Sequence, residues 1–291
     1  MHNQEVDIRF ASVNDSQSIF DWRKDAHSKS MFFDDTAPTF KEHTQWFERS
    51  LQDAYFKIYI GEVEGQKIGV CRFAYSIEEG WSEVSINMNP EVRGRGLGQK
   101  FLLKCVEAYL NCNKYDLVAK IKLHNHASVK IFTLAGFEQL SKNDELIVLL
   151  RGLRKLSIRE VVEEDADTLF QLLQKRPHSI SHQVLPSKQE HWKFLKSDPY
   201  RCWAIIYDGD YLAGSFYIQN DNSIGLNLLQ PEKVLVRRIL QHIVSSIEPV
   251  NEIKSKVPAY FYINVAHTNQ KLQKILEEIG FAPLQISYKV F

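Results

Sequence analysis

Cysteine is scarce in this chain of 291 residues: Cys71, Cys105, Cys112 and Cys202 stand far apart, with neither Cys-x-x-Cys nor metal-ligand spacing. That argues against a disulfide framework or a metal site and for reduced, structural thiols. No segment approaches the roughly 20 apolar residues that a membrane span needs. The opening Met1-His2-Asn3-Gln4-Glu5 lacks the basic-then-apolar order of a secretion signal. An excess charge of either sign is missing too. Thirty-six basic residues balance 36 acidic ones, so no global field draws the chain to nucleic acid or to an anionic membrane. The expectation is a soluble, cytoplasmic protein.

What is present begins with a repeat. Asn125-His126-Ala127-Ser128-Val129-Lys130-Ile131 runs on to Gly136-Phe137, and Asn269-Gln270-Lys271-Leu272-Gln273-Lys274-Ile275 runs on to Gly280-Phe281. The openings answer each other as well. Ile8-Arg9 with Asn14-Asp15 matches Ile158-Arg159 with Glu164-Asp165, and Glu42-His43 matches Glu190-His191. A drifting offset is what small loop insertions leave after a duplication. The length suits two domains of about 150 residues each. The expected division is 1–150 and 151–291, with Arg151 to Leu156 as the short join.

Each half reads as mixed α and β. In the first, residues 5–12 alternate as a strand, followed by a helix that Asn14 can cap. Phe40 to Gln52 puts Phe40, His43, Phe47 and Leu51 on one helical face. Lys57–Val63 and Lys67–Tyr75 form a hairpin around Glu64-Gly65-Gln66, and Glu83–Met88 follows. Gly98–Leu110 is a helix with Phe101, Leu102, Cys105, Val106 and Tyr109 inward. Leu117–Leu123, a helix over Ala127–Ala135 and a closing strand pair complete the order β-α-α-β-β-β-α-β-α-β-β.

The sharpest local feature is Arg93-Gly94-Arg95-Gly96-Leu97-Gly98, set between a strand and a long amphipathic helix. A helix start offers unpaired N–H groups and partial positive charge, which suit a pyrophosphate. Glycines let a phosphate approach the main chain where no Cβ blocks it, and Arg93 and Arg95 add charge. The competing reading is a glycine-rich turn with incidental arginines. A Rossmann unit fails, because the spacing is not Gly-x-Gly-x-x-Gly and three β-runs precede the turn. A P-loop fails, because no Gly-Lys-Ser/Thr follows.

At this point residues 5–150 resemble the GNAT superfamily of N-acetyltransferases. Arg93-x-x-Gly96-x-Gly98 looks like the family's acetyl-CoA loop, and Asn125 to Phe137 looks like its second cofactor motif. The resemblance implies an α/β (α+β) protein of two tandem GNAT-like domains. Each would be a mixed central sheet with helices on both faces and two splayed parallel strands, here Glu83–Met88 and Leu117–Leu123. It implies acetyl-CoA as cosubstrate and no metal. The cofactor would be held by Ile86 and Met88, the run Arg93, Gly94, Arg95, Gly96, Leu97, Gly98 and Gln99, and Asn125 and Phe132. A main-chain N–H beside the pantetheine would stabilise the oxyanion. Glu83 is the candidate base, needed because an alkyl amine with a pKa of about 10 is protonated at neutral pH; the competing reading is a solvated edge glutamate. The sequence departs from the family where many members carry a general-acid Tyr: Phe132 stands there and cannot return a proton. The thiolate then leaves unaided or with a proton from water or another hydroxyl, which a thiol pKa of about 8.5 allows.

Asp21-Trp22-Arg23, the Phe32-Phe33 loop and Lys41-Glu42-His43-x-x-Trp46-Phe47 resemble acetyltransferases of nucleotide-linked amino-sugars. That resemblance places Trp22 and Arg23 on the acceptor side; Trp46 and Phe47 read better as core, and His43 as structural. In the second half, Pro231-Glu232 answers Pro90-Glu91, but no glycine follows before the helix, so Cβ atoms fill the space a pyrophosphate needs. That half reads as a degenerate GNAT-like domain, partnering the first in an intrachain pseudo-dimer; a homodimer is compatible with the sequence. The expected activity is acetyl transfer to a small-molecule primary amine, best a nucleotide-linked amino-sugar. The alternatives are a protein N-terminus or a polyamine as acceptor, and a non-catalytic acetyl-CoA-binding sensor or scaffold.

Overall fold

The structure is a computed structural model that describes residues 5–33, 38–178 and 184–287. The chain divides into two compact units, Met1–Leu153 and Arg154–Phe291. Among the described residues no helix is long and apolar enough to cross a membrane.

Unit 1 opens with β1 (Asp7–Phe10), followed by α1 (Ser16–Lys24), α2 (Ala26–Met31) and α3 (Phe40–Gln52). Then come β2 (Phe56–Val63), β3 (Gln66–Ser76), β4 (Trp81–Met88), α4 (Leu97–Cys112), β5 (Asp116–Lys122), α5 (His126–Leu134), β6 (Glu138–Lys142) and β7 (Leu146–Arg151). The sheet runs β1-β2-β3-β4-β5-β7-β6. β2 and β3 meet at Glu64-Gly65, both at positive φ (50° and 79°), the sign that a tight hairpin with right-handed strand twist favours.

Strand alternation divides the core between two faces. Tyr59, Cys71, Phe73 and Val84 pack with Phe101, Leu102, Cys105, Val106 and Tyr109 of α4, the inward set that the helical spacing predicts. Ile58, Ile60 and Val70 pack on the opposite face with Ile19 and Trp22 of α1 and Phe47 of α3. Phe101 and Phe47 are fully buried, and cutting either to Ala removes about 3–5 kcal/mol.

Two expectations need correction. Asn14 does not cap α1. Asp15, fully buried, is the N-cap residue, and its side chain makes no capping bond to the helix; its carboxylate instead accepts from the Ser12 N–H at 2.8 Å and from both Arg9 Nη atoms at 2.7 and 2.9 Å. Helix α2 is also absent from the predicted order. Its six residues bury only Ser28, so no apolar period marks it.

Unit 2 repeats the path: β8 (Leu156–Glu160), α6 (Ala166–Lys175), α7 (Lys188–Lys196), β9 (Cys202–Asp208), β10 (Tyr211–Ile218), β11 (Ser223–Leu228), α8 (Lys233–Ser246), β12 (Tyr262–Asn264) and α9 (Gln270–Glu278). Its sheet order is β12-β11-β10-β9-β8, with β11 and β12 parallel. The duplicated sequence signals are duplicated joints. Arg159 holds Asp165 with two bonds of 2.7 Å, as Arg9 holds Asp15. Thr39 with Glu42, and Ser187 with Glu190, form matching capping boxes.

Candidate active site

The centre of unit 1 is a wedge between parallel strands. β4 and β5 pair at Trp81↔Asp116, Ser82↔Leu117 and Glu83↔Val118, and there the pairing stops. Beyond that point β4 keeps its bonds to β3, with Ile86 opposite Cys71 and Met88 opposite Gly69, while β5 pairs with β7 as far as Lys122. Ile86 and Met88 therefore lie on a stretch of β4 that has parted from β5. Splayed parallel strands are what the resemblance implies, and they are present.

Glu83 sits at the apex of the wedge, half exposed, with its carboxylate 2.9 Å from Lys120 Nζ. Neither a buried acid nor a bare edge glutamate, it is held by a cation on the neighbouring strand.

At the wide end of the wedge, Asn89 turns the chain by accepting from the Glu91 N–H at 3.1 Å. Gly94 and Gly96 follow, both exposed, at φ 77° and 76°. A Cβ at either would meet nothing within 4 Å, so these two glycines serve backbone conformation and leave open space in front of the turn. Gly98 differs. Its φ is ordinary, and a Cβ there would lie 3.6 Å from Met88 Sδ and 3.8 Å from Ile131 Cδ1, which is normal contact. Helix α4 starts at Leu97 with Gly96 as N-cap, no side-chain cap and no acidic residue in its first turn. The amides of Leu97, Gly98 and Gln99 thus lack intrahelical acceptors and point along the positive end of the helix. Leu97 itself is anchored in the core.

The arginines of this turn are placed differently from the expectation. Arg93 does not reach out as a free cation. Its Nη1 donates to Asp25 Oδ2 at 2.6 Å, and its Nη2 donates to Ser28 Oγ at 2.6 Å and to the Met88 carbonyl at 3.1 Å. Arg95 is exposed and donates back to the Glu91 carbonyl at 2.9 Å. Asn125 caps α5, its Oδ1 accepting from the Ser128 N–H at 3.1 Å. Phe132 is 2% exposed and meets Phe137 edge-on, so it is core. Trp22 is also core, against Ile19, Phe47 and Ile58, and it does not line the cleft described next.

That cleft, with about 530 Å³ of empty volume open to solvent, lies against the sheet under α1 and α3 and reaches the wedge at Ile86. Its polar lining is Arg23, Arg72, Ser85 and Asn87, and Phe32 and Trp46 form part of its apolar wall. The Arg72 guanidinium lies 5.6 Å from the centre of the Trp46 ring, and the Arg23 guanidinium 4.8 Å from that of Phe32. Burial pushes the Arg72 pKa down and the charge of Glu83 pushes it up. Among the described residues, no carboxylate lines the cleft. His43 at its edge is buried, pairs through Nε2 with the Ser16 carbonyl at 3.1 Å and has its pKa lowered by burial, a structural role. Arg72, Ser85 and Asn87 escaped the sequence reading. The available signal was the alternation of β3, where Arg72 follows Val70 on the apolar face toward α1 and α3. Among the described residues, no group of three or more His, Cys, Asp or Glu is placed to hold a metal.

In unit 2 the equivalent positions carry other chemistry. Ile60 pairs with Arg9 and Val70, as Ile205 pairs with Arg159 and Ser215; two residues on, Arg72 corresponds to Tyr217. Tyr217 stacks on Tyr200 with centroids 4.1 Å apart, and Trp203 and Phe194 meet Tyr200 edge-on. An aromatic cluster stands where unit 1 has its cationic cleft. Asn269 caps α9 through the Leu272 N–H at 3.2 Å, but no glycine turn precedes α8.

The strand wedge, the glycine turn on a helix start and the capped α5 define a class of protein. Residues 6–138 match the family model described as acetyltransferase (GNAT) domain. That match lies within unit 1 and covers less than half of the chain; unit 1 carries the resemblance to a GNAT acetyltransferase domain. Over 141 residues it is 27% identical to the L-methionine sulfoximine/L-methionine sulfone acetyltransferase of Salmonella typhimurium, covering 45% of this chain and 78% of the relative. Over 139 residues it is 28% identical to the L-amino acid N-acyltransferase MnaT of Escherichia coli, covering 45% and 79%. An N-acetyltransferase structure from Staphylococcus aureus Mu50 superposes with a TM-score of 0.45 at 24% identity, covering 52% of this chain and 99% of that one.

Proposed function

We propose that unit 1 transfers the acetyl group of acetyl-CoA to the primary amine of a small molecule that also carries an anion, best a free amino acid or a close analogue. The observation that carries this reading is the cleft itself. Two guanidinium groups, Arg23 and Arg72, line a pocket that is otherwise mostly apolar and has no carboxylate among its described residues, and the pocket meets the wedge at Ile86. Arginine binds carboxylates and phosphates through paired, charge-assisted bonds. A polyamine needs the opposite charge. The two curated relatives act on amino acids or methionine derivatives by their names. A nucleotide-linked amino-sugar presents a diphosphate to the same arginines and is the competing acceptor.

The residues present fit acetyl-CoA. The turn at Gly94 and Gly96 has open space in front of it, and the first amides of α4 face that space. Bound there, acetyl-CoA supplies a thioester carbonyl open to attack by an amine. The residues of the chain do the rest. The amides of Leu97, Gly98 and Gln99 hold the pyrophosphate. The main chain around Ile86 and Met88 lines the pantetheine arm and polarises the carbonyl. Arg72 and Arg23 hold the anion of the acceptor so that its amine faces the wedge. Glu83, steadied by Lys120, takes the amine proton through water. Among its described residues, unit 2 has neither the glycine turn nor the cationic cleft, and its role in this reading is non-catalytic.

The test is thiol release by the purified protein from acetyl-CoA with L-amino acids, a polyamine and a nucleotide-linked amino-sugar. Release with amino acids is the expected result. Release with the sugar nucleotide alone moves the acceptor class. Binding of acetyl-CoA with no release for any amine makes the protein a sensor and ends the enzymatic reading.

A further inference from the structure

Helix α2 has no apolar means of staying folded. An isolated six-residue helix lies far below the length at which helices persist in water, and the single side chain it buries is Ser28. Polar ties hold it, and they come from both sides of the wedge. From the β4 side, Arg93 reaches Asp25 and Ser28, and the Ser28 hydroxyl donates to Asn87 Oδ1 at 3.0 Å. From the β5 side, Lys122 Nζ donates to the Ser30 carbonyl at 3.2 Å. Asp25 is also the N-cap of α2, accepting from the Ser28 N–H at 3.0 Å. One guanidinium therefore touches the cap of α2, its buried serine and the Met88 carbonyl where β4 ends. At either end of α2 stand Arg23 and Phe32, which line the acceptor cleft.

We propose that Arg93 is a positioning residue that latches α2 to the cofactor turn, so that filling the turn with coenzyme A orders the acceptor wall. This rests on the acetyl-CoA reading of that turn. The direction follows from what the Arg93 side chain already does. It is engaged by Asp25, Ser28 and Met88, so an anion bound to the amides of residues 97–99 has no need of it. The anion instead fixes the backbone at 93–98, and with it the root of the latch. Coupling of this kind is reciprocal and amounts to about fivefold or more.

Hydrogen exchange on the full chain, with and without saturating coenzyme A, tests the proposal. Binding is followed independently by calorimetry. In the native protein, coenzyme A is expected to slow exchange of the Lys29 and Phe32 amides about fivefold or more. In Arg93→Ala these amides exchange faster without ligand, those of α4 keep their protection, and saturating coenzyme A no longer slows α2. Arg93→Lys recovers part of the effect, because an ammonium reaches Asp25 but cannot fork to Ser28 and Met88 together. Heat from coenzyme A with no change at α2, or faster exchange there as Arg93 leaves for the phosphate, overturns the latch while the cofactor reading stands. So does an Arg93→Ala protein that retains the protection. Absence of heat in the native protein removes the cofactor reading, and the coupling with it.

Discussion

Arg9 and Asp15 face each other through two hydrogen bonds, 2.7 and 2.9 Å long, and the carboxylate receiving them is fully buried. Lys67 adds a second cation at 2.7 Å. Burial pushes the Asp15 pKa up, but Arg9, Lys67 and the Ser12 N–H outweigh it and hold the carboxyl well below its usual range. Arg9 is partly exposed, which moderates the value of the pair.

Asp15→Asn should therefore cost unit 1 about 2 kcal/mol at pH 7, since bonds to charged groups are worth roughly 1.5–3 kcal/mol. A folded-state pKa below the unfolded value of about 4 gives stability that is present above that value and lost as pH falls through the folded pKa. The gap between native protein and variant should accordingly be constant at neutral pH and shrink below about pH 4. Urea melts at pH 7 and pH 3 measure it; an equal gap at both would refute the ion-pair account.

Gly98→Ala separates folding from binding. The added methyl finds ordinary contact with Met88 and Ile131, and alanine favours a helix by up to about 1 kcal/mol over glycine. The melting temperature should hold or rise. In the acetyl-CoA reading proposed above, the same methyl crowds the approach of a pyrophosphate to the first amides of α4, so acetyl-CoA affinity should fall at least about tenfold, or 1.4 kcal/mol. Calorimetry and a thermal melt on one preparation decide it. Unchanged affinity would mean the phosphate lies elsewhere.

Arg72→Leu should raise the acceptor KM by about 10- to 100-fold, the value of a lost charge-assisted bond, and change the acetyl-CoA KM little. Arg72→Lys should recover only part, lacking the planar fork. An equal fall in kcat with no change in acceptor KM would assign Arg72 to the reaction step and not to the anion.

Glu83→Gln should lower kcat at neutral pH by about 10²-fold or more, the typical worth of a general base. The deficit should narrow near pH 10, where an alkyl amine loses its proton unaided. A deficit independent of pH would leave Glu83 as a structural partner of Lys120.

How far the sequence revealed these parts depended on whether a residue acts locally. The glycine turn and the matched pairs Glu42-His43 and Glu190-His191 are runs of neighbours and were legible as such, whereas the capping boxes that those glutamates form with Thr39 and Ser187 emerged only from the structure. The inward face of α4 was legible for the same reason, because Phe101, Cys105 and Tyr109 recur every fourth residue. Arg93 was misplaced because its partners, Asp25 and Ser28, lie 68 and 65 positions away and only the tertiary fold joins them. Helix α2 was missed because polar ties, not an apolar stripe, hold it. Trp22 was set in the acceptor cleft by resemblance to an Asp-Trp-Arg element, whereas the α1 periodicity that puts Ile19 inward also carries Trp22 into the core.

The near-identical torsions of Asn125 (φ −86°, ψ 63°) and Asn269 (φ −87°, ψ 63°) give the molecule its own control experiment. Both side chains staple a helix start, but a glycine turn belongs to the first copy alone. Changing Asn269 to Ala measures the mechanical worth of the staple with no coenzyme at stake. Whatever Asn125→Ala loses beyond that amount is the share the residue owes to the ligand, read from one polypeptide without recourse to a second protein as reference.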